Sequence, residues 1–288
     1  MMKPLNSFLR KWRFLLLLLF LVLLVVNLGH VRASEKSPPE DWQIQGMLAA
    51  LDDSDRDVWR EVVKKISKYD LKPVGIPPER VEQIGKLLRD DNSSVRIATA
   101  EAVGNMGSEA KELIPQLQQL LKDDDSSIRI AAVWAVAKME LGTKELIPQL
   151  QQLFSDKNWR VREAAATAVG SLGSEAKELI PQLQQLFSDK KWRVREAAAT
   201  AVGEMGSEAK ELIPQLQQLF SDKKWRVREA AATAVGSLGS EAKELMPQLL
   251  QLLRDEDSDV REAAATAVGE MGSEAKELIP QLLQLLRD

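Results

Sequence analysis

Three tryptophans recur at one constant interval, Trp159, Trp192 and Trp225, and each is followed directly by an arginine, Arg160, Arg193 and Arg226. Lys191 and Lys224 precede the second and third rings, and Lys157, Lys190 and Lys223 add to the charge. Aromatic rings beside guanidinium groups are suited to recognition without covalent chemistry: the rings supply contact area and the cations seek carboxylates. The flanking units carry Ser93, Ser126 and Ser258 at the tryptophan position, among acids such as Asp124, Asp125, Glu256, Asp257 and Asp259. The basic and aromatic stretch is therefore confined to the middle of the chain, and an acidic or extended protein segment is the partner it suits.

A second row is acidic. Glu163, Glu196, Glu229 and Glu262 recur at the same interval, each with a threonine one helical turn on, Thr167, Thr200, Thr233 and Thr266. Paired carboxylates can do acid–base work, but carboxylates repeated in unit after unit fit a solvated lane or a structural ladder better than one catalytic pair. Trp134 replaces the threonine in this lane, and a large aromatic at an outward position is a candidate anchor for a partner. There is no cysteine, and the single histidine, His30, precedes the repeated region. Cysteine-based metal sites and nucleophile–base pairs lack their groups. No catalytic residue, metal site or cofactor is expected.

The elements that must position these residues follow from the repeat. Pro115, Pro148, Pro181, Pro214, Pro247 and Pro280 keep a constant spacing, and a period of about 33 residues announces a solenoid. Within residues 173–205 the apolar positions Leu179, Ile180, Leu183, Leu186 and Phe187 form the stripe of a first helix. A polar turn, Ser188 to Lys191, leads to a second stripe of Val194, Ala197, Ala198, Ala201, Val202 and Met205. Ser174 is placed to cap the first helix and Gly206 to stop the second, while Pro181 inside the first helix predicts a bend. Neither stripe can be buried within one unit, so the units must stack into a continuous core.

The sequence here resembles the HEAT repeat, in particular the variant named after phycobilisome lyases. The residues that carry the resemblance are the first-helix proline, an aspartate eight positions on, and Val-Arg five and six positions after that. They recur as Pro148, Asp156, Val161, Arg162; as Pro181, Asp189, Val194, Arg195; as Pro214, Asp222, Val227, Arg228; and as Pro247, Asp255, Val260, Arg261. Asp123, Ile128 and Arg129 fit behind Pro115, whereas Asp90, Val95 and Arg96 lack the proline, position 82 being Glu82. The resemblance covers about residues 78 to 288. It implies an all-α, right-handed superhelical solenoid, with second helices lining a concave side and a hydrogen-bonded Asp–Arg ladder between successive units. Similar repeats occur in phycobilin lyase subunits and in deoxyhypusine hydroxylase. The hydroxylase binds iron through His-Glu pairs, and residues 34–288 contain no histidine, so that chemistry is excluded; a lyase-type subunit handling a tetrapyrrole-bearing partner is the alternative to a plain protein-binding scaffold.

Ahead of the repeats, Lys3, Arg10, Lys11 and Arg13 precede the apolar run Phe14 to Val26, and Val31-Arg32-Ala33 offers small residues at a cleavage position. This pattern predicts a signal peptide over residues 1–33, or an uncleaved anchor, and export of the repeats to the periplasm or the cell exterior. A linker over 34–41 and a degenerate helix pair over 42–77 follow, then regular repeats over 78–288. Beyond residue 33 the chain holds 34 basic and 43 acidic residues, which argues against nucleic acid as a partner. Membrane contact is expected only through the N-terminal segment, if that segment is not cleaved. The chain ends on a first helix, Ser273 to Arg287, with Leu283 where earlier units have Gln184 and Gln217, so an association between copies through this end is expected.

Overall fold

A computed structural model describes residues 40–139 and 144–272, and among these every regular element is helical. Among the described residues seven helix pairs follow one another. They are α1 (Asp41–Ala49) with α2 (Arg56–Ile66), α3 (Pro78–Leu87) with α4 (Ser93–Met106), α5 (Ile114–Leu120) with α6 (Ser126–Met139), and α7 (Ile147–Leu153) with α8 (Trp159–Leu172). The last three are α9 (Ile180–Leu183) with α10 (Trp192–Met205), α11 (Ile213–Leu219) with α12 (Trp225–Leu238), and α13 (Met246–Leu252) with α14 (Ser258–Glu270). Buried apolar residues from both helices of every pair join into one cluster running from Ile44 to Met271. Among the described residues no helix is long and apolar enough to cross a membrane. The N-terminal segment 1–33, most of the linker, and the closing helix with Leu283 lie outside the described residues.

The two stripes are buried as their periodicity predicts. Leu179, Ile180, Leu183, Leu186 and Phe187 are buried on the first-helix side, and Val194, Ala198, Ala201, Val202 and Met205 on the second. The second helices end on glycines with φ between 52° and 61°, Gly107, Gly173, Gly206 and Gly239, a conformation that an L side chain resists. Two expectations are corrected. Gly173–Leu179 is a 3₁₀ segment that begins without a side-chain cap, so Ser174 caps no helix. Pro181 does not bend an α-helix; it lies in the first turn of α9, which starts at Ile180. The equivalent prolines of α5, α7, α11 and α13 do the same. A residue without an N–H is harmless in a first turn, where the donor would have no partner, and the strain expected of an interior proline never arises.

Successive pairs are riveted by arginine and aspartate. Arg162 Nε and Nη2 donate to the two carboxylate oxygens of Asp189 at 2.7 and 3.0 Å, and its Nη1 donates to the Asp156 carbonyl of its own turn at 2.7 Å. Arg129 meets Asp156, Arg195 meets Asp222 and Arg228 meets Asp255 in the same bidentate way. Arg261 makes the own-turn bonds, to the carbonyls of Asp255 and Glu256. Each aspartate also accepts from a backbone N–H further along its turn, Asp189 from Lys191 at 2.8 Å, which shapes the turn. Burial, the largest single influence, pushes the Asp189, Asp222 and Asp255 carboxyls up. The arginine and backbone hydrogen bonds and the guanidinium charges together outweigh it, and all three are held below the usual carboxylate range.

In the first pair one arginine's work is divided between two residues. Trp59 occupies the ladder position, and its indole N–H donates to the Asp53 carbonyl at 2.7 Å, taking the own-turn bond. Arg60, next in the chain, reaches Asp90 at 3.0 Å, with Arg56 beside it at 3.2 Å. The longer connection after α2 is fastened to α4, where Leu71 N–H donates to the Asn105 carbonyl and the Asn105 amide to the Ser67 carbonyl.

Candidate protein-binding surface

The tryptophans open the second helices of three consecutive pairs, α8 at Trp159, α10 at Trp192 and α12 at Trp225. Each ring is half-buried and packed against the core, so it is part packing and part surface. The arginine that follows lies over the ring, at 5.3 Å from the Trp159 centroid, 4.9 Å from Trp192 and 4.8 Å from Trp225. Stacking fixes a flat cation at a half-exposed position and so reduces the side-chain entropy a bound carboxylate would have to freeze. Lys157, Lys190, Lys191, Lys223 and Lys224 are exposed in the turns beside them. Only the first of these turns has a capping side chain, Asn158, which accepts from the Arg160 N–H; Lys191 and Lys224 hold that position without capping.

The same arginines reach across to the acidic lane, a link that the spacing of single residue types does not reveal. Arg193 lies 3.9 Å from Glu163 of the preceding unit, and Arg226 lies 3.8 Å from Glu196. Ring, guanidinium and carboxylate thus form a strip joining the ridge of turns to the lane of second helices. The signal was present as a recurring glutamate–arginine pair whose interval is slightly longer than that of the ladder. The strip ends at both sides of the copied block. Arg160 finds Ile130 where the others have glutamate, and Glu229 finds Asp259 where the others have arginine. Burial raises the carboxyls of Glu163, Glu196 and Glu229. The facing arginines oppose this at Glu163 and Glu196, whereas at Glu229 the charges of Asp259, Asp257 and Glu262 add to it, with only Arg226 against them. Glu204, raised by burial alone, has its carboxylate folded over Gly170. Trp134 stands apart from the ridge, on α6 in the lane, and is 39% exposed. Among the described residues no cluster of three or more His, Cys, Asp or Glu could hold a metal ion.

Stacked helix pairs of this kind have known counterparts. The sequence pattern of the HEAT repeats matches residues 44–125, 81–144, 114–180, 150–212, 180–243 and 213–288. The chain belongs to the HEAT-repeat family. Solved structures similar to this HEAT solenoid include an engineered protein, 22% identical over 86% of this chain and 72% of that one with a TM-score of 0.56. Another is the complex of CpcE and CpcF of phycocyanin lyase from Nostoc sp. PCC7120, 18% identical over 88% and 98% with a TM-score of 0.51. A third is the karyopherin Kap121p bound to the extreme C-terminus of the protein phosphatase Cdc14p, 18% identical over 85% of this chain and 31% of that one with a TM-score of 0.61. At these identities the likeness is one of fold. No curated protein matches the chain.

Proposed function

We propose that this HEAT solenoid is a non-catalytic scaffold that binds another protein, and that the row of Trp159, Trp192 and Trp225 with Arg160, Arg193 and Arg226 grips an acidic or extended segment of it. The observation that carries this reading is the repetition of one arginine-stacked ring, half-exposed and flanked by lysines, in three adjacent units. Solenoids of this fold are found in protein complexes, as Kap121p with Cdc14p and CpcE with CpcF are. A labelled aspartate- and glutamate-rich decapeptide titrated onto the chain tests it. Arg193→Ala with Arg226→Ala is expected to weaken binding by about 2 kcal/mol, as for interface hot spots, and added salt to weaken the wild type. Trp192→Ala with Trp225→Ala separates recognition from packing: early melting with unchanged affinity would make the rings core residues only.

The scaffold works outside the cytoplasm in this reading, because a basic flank, an apolar run and Val31-Arg32-Ala33 precede it. Mass spectrometry of the mature protein is expected to find Ser34 as the first residue. An intact Met1 on membrane-bound protein would mean an anchor instead, and cytoplasmic protein with bound bilin would favour a lyase-type subunit.

A further inference from the structure

The outer side of the first pair, α1 with α2, differs from every seam that follows. At an interior seam the second helix turns small residues toward the preceding pair, so that Ala135 approaches Gly104, Ala201 approaches Gly170 and Ala234 approaches Gly203. Ala102 holds that position on α4 and is fully buried. Counted back through the repeat, Val95, Ala98 and Ala102 of α4 correspond to Val58, Glu61 and Lys65 of α2, and Ile84 and Leu87 of α3 correspond to Met47 and Ala50 of α1. The α3 and α4 residues are buried. Their counterparts line an open groove of about 720 Å³, together with Val62 and with Trp42, which is 67% exposed. The groove is half of a seam: the surface that a neighbouring helix pair covers elsewhere is open here among the described residues.

A solenoid end is kept soluble by polar residues on its outer face, and Glu61 and Lys65 in place of two alanines serve that need. Their order does more. They stand one turn apart on α2 with Val62 beside them, an acid and a base on one face. Glu61 pairs within the helix with Lys64 at 3.0 Å, and Lys65 makes no ion pair among the described residues. The other acids of the lining are engaged in their own turn, where Asp55 accepts from the Asp57 N–H at 2.9 Å and Asp57 meets Arg60 at 2.7 Å. A face with one acid and one base about an apolar centre is complementary to itself when turned through a two-fold axis. Two antiparallel copies of α2 bring each Glu61 opposite the other's Lys65, with Val62 near Val62.

We infer that the open side of the first pair is a homodimer interface. Two copies of the chain pack their α1 and α2 helices end to end about a two-fold axis beside Val62, each completing the other's half seam. Glu61 of each copy meets Lys65 of the other, and the indole of Trp42 leaves water with Met47 and Val58. Two ridges of arginine-stacked rings then belong to one particle, and a partner with two acidic segments is held by both. The interface itself uses no residue of the ridge, so it does not depend on the proposed function.

The chain contains no cysteine, so one introduced thiol reports on the axis. Full-length Val62→Cys treated with a short bis-maleimide is expected to give a covalent dimer, and Ser240→Cys, in the exposed connection before α13, is expected to give none. On the Val62→Cys background Lys65→Glu sets acid against acid and Glu61→Lys sets base against base, and each is expected to cut cross-linking about tenfold. Glu61→Lys with Lys65→Glu in one chain restores the self-complementary order and is expected to recover the dimer. A mixture of the two single variants is expected to recover it as well, since each then faces its opposite. Absence of a cross-link at residue 62, a cross-link indifferent to these charges, or a double reversal as weak as the single variants would overturn the inference. A dimer kept in Lys65→Glu but lost in Leu283→Gln would overturn it in favour of the closing helix, and a thiol at residue 62 that cross-links only to a different protein would give the groove to that protein instead. None of these outcomes bears on the acidic decapeptide.

Discussion

The seam between α6 and α8 and the seam between α8 and α10 share one period, one set of stripes and one arginine–aspartate rivet, yet the helices at the first are packed less closely. At the second seam a Cβ added to Gly170 would stand 2.8 Å from the Ala201 Cα, a distance no real side chain tolerates. Gly104 against Ala135, Gly203 against Ala234 and Gly236 against Ala267 repeat this approach. At the first seam the equivalent residue is Ala137. Its methyl group occupies the space into which the neighbouring backbone would otherwise move, and α6 and α8 stand further apart. The spacing of a solenoid is thus set locally, by one atom per unit, even where the hydrophobic pattern does not change. The looser seam is also where the row of Glu163, Glu196, Glu229 and Glu262 and the arginine-stacked rings begin.

Removing an arginine–aspartate rivet has the largest expected effect. Arg162→Ala leaves Asp189 without its bidentate partner and is expected to cost about 3 kcal/mol, lowering a single cooperative transition because the seam around it remains tight. Arg129→Ala removes the rivet of the looser seam. The expected outcome is two transitions in denaturant unfolding followed by circular dichroism, since a chain of nearest-neighbour units separates at its weakest interface. If both variants unfold in one step with equal loss, the two seams are energetically alike.

Exchanging the glycine and the alanine sharpens the contrast. Gly170→Ala forces apart a packed pair of backbones and is expected to cost about 1–3 kcal/mol. Ala137→Gly lets α6 approach α8, and the gained contact offsets the greater chain entropy of glycine, for a net change of less than about 1 kcal/mol. Equal losses from both substitutions, measured by urea unfolding, would show that residue 137 does not set the spacing.

The smallest effects concern pH and set the ladder against the lane. Unfolded carboxyls titrate near about pH 4. Asp189, Asp222 and Asp255 are held lower in the fold, so their stabilisation is complete above that value and is lost as pH falls through the lower folded values. Glu163, Glu196, Glu204 and Glu229 are held higher. Their ionised forms therefore oppose folding at neutral pH, and the opposition is relieved as pH falls through the raised values toward the unfolded one. Glu196→Gln with Glu229→Gln is expected to raise neutral stability by less than about 0.5 kcal/mol and to flatten the pH profile just above the ordinary carboxyl range. A loss of stability on this substitution would place these glutamates among the structural contacts.

Residues 173–205 alone determined much of this protein. The constant period required stacking, the two stripes named the buried faces, and Gly206 marked the end of a helix, because each of these is a property of one residue type at one position. The Asp–Arg ladder was legible through resemblance, since its aspartate and arginine recur in unit after unit from Asp90 onward. Tertiary structure decided whatever depends on two residues in different units. Pro181 has an ordinary place in a first turn because the α-helix begins only at Ile180, after a 3₁₀ segment. Trp59 and Arg60 divide one arginine's bonds, Trp59 meeting the Asp53 carbonyl and Arg60 the Asp90 carboxylate. Arg193 and Arg226 reach the lane because neighbouring second helices lie side by side, and one methyl group on Ala137 sets a wider gap there because backbone meets backbone. Periodicity reports which side of a helix is buried. How closely that side approaches its neighbour, and which charges then meet, depends on the pair of surfaces and is settled only when both are packed.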